Sequence, residues 1–333
     1  MIAEERLARW LGNPEAQAKT VALSEEVSRD SRRQTSLVRL EADLAAAETG
    51  SAEAALAAAG TFLEDDDAIA AAISPHVEAA RADPIFRPPL RHGSSEVHTG
   101  LLLFDQPSLS IFLSVATAEA IAAKRVFREG RASITFPGTL SLYRFLKAGG
   151  ATVSIWEAPK IEAGFSVEGS GHCRLLERRR LFDGEIFKLD GRRHTFVVDH
   201  AVSDMVYLQA TTPLEAAPLS AEYDSEDLDL VGASSTDEAS SRTQMMLSLL
   251  REMDRRDAAP VFEAMLGSPH FYVRWSTMRD FLALDAELAL PHLIAMAETD
   301  EHPDVREAAR HTLAMLSADS AAASDEEESL CHA

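Results

Sequence analysis

A helical hairpin pattern occurs twice near the C-terminal end of the chain, and this duplication constrains the fold more than any other feature. The segment Ala259–Met265 aligns with Leu290–Met296, 31 residues later, and Val273-Arg274 aligns with Val305-Arg306, 32 residues later. A fixed period of this length is typical of stacked helical repeats, in which each unit buries its apolar face against its neighbours. Such stacks usually present a surface to a partner, so this part of the chain predicts binding.

The repeated hairpins resemble HEAT-type α-solenoid repeats in the residues that begin their helices. Pro260 and Pro291 lie in the first helices, and Val273-Arg274 and Asp304-Val305-Arg306 open the second helices. The resemblance implies that Asp and Arg side chains form polar ladders between repeats. Tyr272 stands at the first Asp position, so this ladder is expected to be incomplete.

One further helix is predicted ahead of the two hairpins. Arg242 and Met246 precede Arg274 and Met278 by the same 32 residues, so this helix fits the register of a second helix. We interpret it as half of an incomplete repeat. Its apolar stripe has helical spacing and consists of Met246, Leu249, Leu250 and Met253.

The first part of the chain is predicted to be helical and the middle part to be a β domain. Residues 1–83 are rich in Ala, Glu, Leu and Arg, and Asp83-Pro84 ends the pattern because proline cannot continue a helix. Residues 100–215 contain short apolar stretches separated by Gly, Pro and Asp, with hairpin dipeptides at Asp183-Gly184 and Asp190-Gly191. This spacing is typical of an antiparallel sandwich or barrel.

The middle region also resembles a cupin, a small double-stranded β-helix barrel. The resemblance rests on a Gly149-Gly150 turn before a strand, on Leu181–Glu185 and Leu189–Gly191, and on a closing strand at Met205–Gln209. Metal-binding cupins take two His and usually a Glu from a first motif and another His from a second motif. His194 stands where the second-motif histidine is expected, whereas no His-x-His pattern stands at the first motif.

Four side chains of the β domain are candidates for an iron site. Because alternate residues of a strand share a face, His194 and His200 would point to one side of a regular strand. His172 would join them from a neighbouring strand, with Glu162 as a supporting carboxylate, and imidazole and carboxylate suit non-haem Fe(II). The competing interpretation, which we favour, is that these histidines are surface or hydrogen-bonded side chains without metal. No catalytic residue is identified, since Cys173 and its neighbour His172 would face opposite sides of a strand.

Charge and composition restrict the partners. The chain of 333 residues carries 32 basic and 54 acidic side chains, a formal net charge of −22, which disfavours nucleic acid. No apolar run is long enough to cross a membrane, and the two cysteines, Cys173 and Cys331, fit a reducing compartment, so we expect a cytoplasmic protein.

Residues 216–240 are acidic and Ser-rich, which predicts a linker, and residues 318–333 are expected to be a disordered acidic tail.

These features predict an α+β multidomain protein with N-terminal helices, an antiparallel cupin-like β-barrel or sandwich, and a short C-terminal α-solenoid over residues 241–317. The expected function is non-enzymatic: an adaptor or regulatory protein that binds another protein through its repeats, with no cofactor and with a small-ligand site in the barrel. Arg279 and Arg310 on the second helices are the expected partner contacts, because Arg274 and Arg306 are available for the ladders. The alternative is an Fe(II)-dependent cupin-type oxygenase with a HEAT-like docking domain.

Overall fold

The chain divides into two compact units in the computed structural model. The first unit comprises residues 1–160 and 172–232, and the second comprises residues 161–171 and 233–333. Helices and an antiparallel β-sandwich build the first unit, and the second is mainly helical. The structure describes residues 2–47, 50–127, 133–161 and 170–330.

Five helices begin the first unit, as the composition of residues 1–83 predicted. Side chains cap three of them: Asn13, Ser51 and Asp65 each accept a hydrogen bond from a backbone amide of the first helical turn. The last helix ends at Ala82, directly before Asp83-Pro84. The five are α1 (Ile2–Leu11), α2 (Pro14–Arg32), α3 (Thr35–Ala46), α4 (Ala52–Glu64) and α5 (Asp66–Ala82).

The sandwich consists of short antiparallel strands with one helix, α6 (Ala118–Phe127), among them. The strands are β1 (His92–Ser94), β2 (His98–Gln106), β3 (Leu109–Ala116), β4 (Ser133–Phe136), β5 (Leu140–Lys147), β6 (Thr152–Glu157), β7 (Arg174–Arg180), β8 (Ile186–Asp190), β9 (His194–His200), β10 (Met205–Thr212), β11 (Leu219–Asp224) and β12 (Leu230–Ser235). In the described residues they form three sheets, with strand orders β1-β2-β3-β10-β5-β8, β7-β6-β9 and β12-β11-β4.

The six-stranded sheet buries both of its faces. On one face, Leu140 and Leu208 pack with Leu56 and other apolar side chains of α3, α4 and α5. On the opposite face, Tyr143 and Phe145 belong to a second core that includes residues of β6 and β9. Because side chains alternate along each strand, one sheet supplies both the helix-packing face and the wall of the sandwich interior.

The predicted Gly149-Gly150 turn is present between β5 and β6. Gly149 and Gly150 have φ values of +63° and +65°, a region that residues with a Cβ rarely adopt. A Cβ on Gly149 would lie 2.2 Å from the carbonyl oxygen of Ser203. Glycine is therefore required at position 149 both by backbone conformation and by the close approach of the loop before β10.

The acidic linker predicted over residues 216–240 is wrong, because that interval contains strands β11 and β12 and the start of a helix. Leu219, Ala221 and Tyr223 alternate with polar residues and are buried, which is the pattern of a half-buried strand. The Tyr223 ring meets Phe136 of β4 edge to face, with 5.5 Å between ring centroids. The acidic composition had concealed this alternation.

The second unit contains the predicted half repeat followed by two hairpins. The Phe262 and Phe281 rings stack with 5.5 Å between centroids and join the two helices of the first hairpin. The last helix continues through residue 330, so most of the tail predicted to be disordered is helical here. The helices are α7 (Glu238–Glu252), a short 3₁₀ helix (Arg256–Ala258), α8 (Ala259–Met265), α9 (Phe271–Leu284), α10 (Ala286–Thr299) and α11 (Pro303–Leu330).

Candidate functional site

A cavity of about 610 Å³ opens in the sandwich of the first unit. Its walls combine apolar and aromatic side chains with several groups that can form hydrogen bonds. Pockets of this size and mixed lining are typical of small-molecule sites. The apolar part includes Phe145, Phe196, Val198, Met205 and Tyr207, and the polar part includes His98, Lys124, Ser154, Arg178 and Asp199.

Ser154 organises the polar wall of the cavity. Its hydroxyl donates to Asp199 Oδ2 at 2.7 Å and accepts from Arg178 Nε at 3.2 Å. Trp156, two residues along β6, is buried, and its Nε1 has no hydrogen-bond partner among the described residues. A buried donor without a partner is costly, so Trp156 Nε1 stands out among the polar atoms of this wall.

His98 lies on the same cavity wall as Lys124. Its Nδ1 is 2.8 Å from Ser95 Oγ. Burial lowers the pKa of His98, and the positive charge of Lys124 lowers it further. The imidazole is therefore held in its neutral form near neutral pH, in which one ring nitrogen can accept a hydrogen bond. His98 was not among the residues singled out in the sequence, where nothing distinguishes it from other histidines.

The structure does not bring the proposed iron ligands together. His172 Nδ1 lies 2.7 Å from Asp229 Oδ1, with both side chains largely exposed. His194 Nε2 lies 3.5 Å from Glu157 Oε1, a carboxylate that also pairs with Arg174 and Arg193. His172 and His194 therefore each lie beside a different carboxylate rather than beside each other.

A β-bulge separates His200 from the face that carries His194. In the pairing of β9 with β6, Val198 faces Val153 but His200 faces Thr152, so Asp199 is an extra residue. The side chains after the bulge change face, and the expectation that His194 and His200 share one side is therefore wrong. Regular alternation was the only basis for that expectation.

Glu162, the fourth residue of the proposed iron site, lies outside the described residues, because it belongs to the segment 162–169. Within the portion of the chain that the structure describes, no group of three or more His, Cys, Asp or Glu side chains could hold a metal ion. Cys173 is buried, and burial raises the pKa of its thiol to about 11. The thiol is therefore protonated near neutral pH, which makes it a poor nucleophile.

Polar contacts connect successive second helices of the repeat unit at the repeat spacing. Gln244 Nε2 donates to Ser276 Oγ at 2.8 Å, and Ser248 Oγ donates to Asp280 Oδ2 at 2.7 Å. Both pairs are separated by 32 residues in sequence, which equals the repeat offset of the Val-Arg motif. Helices α7 and α9 therefore stack in the register that the sequence predicted.

Four arginines of the second helices divide into an internal pair and an exposed pair. Arg274 is buried and binds Asp300, and Arg306 donates to the carbonyl oxygens of Asp300 and Glu301. Arg279 and Arg310 are exposed, and neither forms an ion pair with another described residue. The geometry thus distinguishes structural arginines from arginines that are available to solvent.

The apolar stripe predicted on α7 mostly faces solvent. Met246, Leu249 and Met253 are exposed, as is Met245, whereas Leu247 is the buried apolar residue of this helix. The helical periodicity was correct, but the position of the core relative to the stripe was not. Contacts in the stack, rather than hydrophobicity alone, determine which side of α7 is buried.

The comparisons with known proteins agree with the repeat architecture. Residues 232–314 match a family model described as HEAT repeats, which includes α7 and both hairpins. No curated protein matches the chain. The predicted fold class is confirmed: N-terminal helices, an antiparallel β-sandwich in the middle, and HEAT-like helices at the C-terminal side.

The solved structures that are similar to part of the chain include an ectoine synthase, a DMSP lyase and a cupin domain. Ectoine synthase from P. lautus is 12% identical, with 37% of this chain and 68% of that chain covered and a TM-score of 0.23. DMSP lyase DddQ from Ruegeria pomeroyi DSS-3 is 13% identical, with coverage of 45% and 64% and a TM-score of 0.26. The Schizosaccharomyces pombe Cnp3 cupin domain is 9% identical, with coverage of 36% and 64% and a TM-score of 0.22.

Among the described residues, none of the helices combines the length and the apolar character that a membrane span requires.

Proposed function

We propose that this protein is a cytoplasmic, non-enzymatic adaptor that binds another protein through its HEAT-like repeats. The observation that carries the proposal is the exposed pair Arg279 and Arg310 on α9 and α11, beside arginines that are engaged inside the stack. An arginine that is not needed for packing or for an internal ion pair is free to meet a carboxylate of a partner. The match of this region to HEAT repeats supports an interaction role.

The charge of the chain indicates what these arginines can do. With a formal net charge of −22, most of the surface repels an acidic partner, and the two exposed guanidinium groups are local exceptions. Charges at the rim of an interface act mainly on the association rate and its salt dependence. The partner is therefore expected to place acidic side chains against α9 and α11 and to bind more weakly as salt increases.

The test is co-purification from the native host with the double variant Arg279→Glu and Arg310→Glu. A matched control, Arg6→Glu with Arg9→Glu, makes the same change of charge at two exposed positions of α1. We expect the repeat variant to lose the partner and the α1 variant to retain it, with both proteins folded by circular dichroism. Equal recovery of the same partners by the two variants would refute the proposal, as would partner recovery by a protein lacking residues 241–317.

A small-ligand site in the sandwich is the second part of the proposal. It is supported by the cavity of about 610 Å³, whose walls combine apolar side chains with polar groups such as Arg178. Arg178→Ala removes the guanidinium group of the polar wall, which a ligand carboxylate would contact. In a thermal-shift screen of small carboxylates, compounds that stabilise the wild type should stabilise this variant less. A screen in which no compound stabilises the wild type would count against the site.

A further inference from the structure

Helix α7 begins the repeat stack with an uncovered apolar face. Met245, Met246, Leu249 and Met253 are 71%, 61%, 51% and 56% exposed. Repeat proteins usually end in units with a polar outer side, because an apolar end reduces solubility. Four large apolar side chains along one side of a 15-residue helix are therefore an unusual end for such a stack.

The repeat register identifies the kind of element that fits this face. At the offset of 32 residues, Leu249 corresponds to Phe281 of α9, and Phe281 corresponds to Leu313 of α11. Phe281 stacks on Phe262 of α8, and Leu313 packs in a cluster with Leu293 of α10. Each of these positions thus packs against the first helix of its own hairpin.

The same relation holds one turn earlier. Met245 corresponds to Thr277, which is fully buried, and to Ala309, which packs with Leu293 and Met296 of α10. No helix precedes α7 in the described part of the second unit. The exposed face of α7 is therefore the position at which the stack would otherwise hold an amphipathic helix.

We propose that α7 of a second copy of this chain occupies that position, so that two stacks join through an antiparallel α7–α7 pair. An antiparallel pair of identical helices is self-complementary about a twofold axis. With the axis near residue 247, Met245 of each copy lies opposite Leu249 of the other. The exposed apolar face of α7 in one copy then covers the exposed apolar face of α7 in the other copy.

Charge supports this arrangement. In the same register Arg242 of one copy lies opposite Glu252 of the other, and the twofold axis generates this pair twice. Arg242 pairs with Glu238 and Glu252 with Arg251 on the surface of the same helix, and Arg242 and Glu252 remain largely exposed, at 72% and 67%, so each can also reach across. The antiparallel orientation also places the positive N-terminal end of one helix dipole beside the negative C-terminal end of the other.

Sedimentation equilibrium of the full chain over a wide concentration range tests the proposal. We expect a reversible dimer of the wild type. Met245→Glu with Leu249→Glu should raise its dissociation constant by roughly tenfold or more, since this change places charges in the apolar contact. The control, Leu288→Glu with Ile294→Glu, makes the same change at two exposed apolar residues of α10 and should leave the dimer intact. Circular dichroism and thermal melts establish that all variants are folded.

A charge exchange tests the register of the pair. Arg242→Glu alone should weaken the dimer because it places Glu opposite Glu252, and Arg242→Glu with Glu252→Arg in the same chain should restore it. A wild type that is monomeric at every concentration would overturn the proposal and leave α7 to a different protein. A dimer that is insensitive to Met245→Glu with Leu249→Glu, or a charge exchange that fails to restore it, would overturn it equally. None of these outcomes depends on the partner bound by Arg279 and Arg310.

Discussion

Arg274 of α9 binds both carboxylate oxygens of Asp300, the residue that follows α10, with Nε at 2.8 Å from Oδ2 and Nη2 at 2.6 Å from Oδ1. Its Nη1 also donates to the carbonyl oxygens of Ser268 and Pro269. One guanidinium group thereby connects the loop of the first hairpin to the end of the next first helix. The sequence predicted the ladder aspartate at the start of a second helix, at Asp304, so this contact with Asp300 is an Arg–Asp pair between repeats at a position that the sequence did not predict.

The first prediction concerns the loss of this ion pair. Asp300→Ala leaves a buried guanidinium group without its carboxylate, and removing one partner of a buried pair typically costs about 3–5 kcal/mol. Urea unfolding followed by circular dichroism should show that loss in the transition of the repeat unit. The control is Asp257→Ala, which removes an exposed ion pair with Arg255 in the same unit and should have a much smaller effect. Equal stability of wild type and Asp300→Ala would contradict a stabilising role of this ion pair.

The second prediction concerns pH. Burial would raise the pKa of Asp300, but the Arg274 hydrogen bonds, the His302 amide and nearby positive charge outweigh it and hold that pKa below its usual value. A carboxylate with a depressed folded pKa stabilises the fold at pH values above its unfolded pKa, and this stabilisation is lost as pH falls through the folded pKa. The difference in unfolding free energy between wild type and Asp300→Ala should therefore be constant near neutral pH and shrink below about pH 4. A difference that grows on acidification would show that the sign is wrong.

The third prediction concerns the core of the first hairpin. Phe281 is fully buried and stacks on Phe262, so Phe281→Ala should destabilise the repeat unit by about 3–5 kcal/mol. Because the β-sandwich has its own cores, its unfolding transition should shift little. Far-ultraviolet circular dichroism, together with a spectroscopic reporter in each unit, distinguishes the unfolding transitions of the two units during denaturation. A common shift of both transitions would mean that the units unfold together.

The fourth prediction concerns iron. Since His172, His194 and His200 each lie apart, we expect purified protein supplied with Fe(II) to bind less than one iron per chain. The variants His172→Ala, His194→Ala and His200→Ala should then match the wild type in metal analysis. One tightly held iron per chain that disappears in His194→Ala would contradict the non-enzymatic proposal and support the oxygenase alternative.

Local periodicity predicted much of this fold, because helices and repeats leave regular traces in sequence. The N-terminal helices, the 32-residue register of α7 and α9 and the Gly149-Gly150 turn were all predictable for that reason. The strand β11 was missed because acidic residues dominate its composition while Tyr223 and its apolar neighbours are buried on one side. The composition of a segment combines the residues of both strand faces, whereas burial differs between the two faces.

The candidate site was less predictable, because it depends on which side chains meet across strands. Ser154, Asp199 and Arg178 come together from three strands, and no spacing in the sequence links them. The cavity therefore has no local signature. In α7 the period was evident, but only the packing of α7 on α9 determines that Leu247 is buried and Met246 is exposed.

The bulge at Asp199 also determines which changes of the strand could bring two histidines to one side. Deletion of Asp199 would restore regular alternation in β9, but His200 would then directly follow Val198 and would still face Thr152, on the side opposite His194. The same deletion would remove the acceptor of the Ser154 hydroxyl. Only a strand that keeps all seven residues and pairs them without a bulge would place both histidines on a common face, so register rather than composition separates β9 from such a strand.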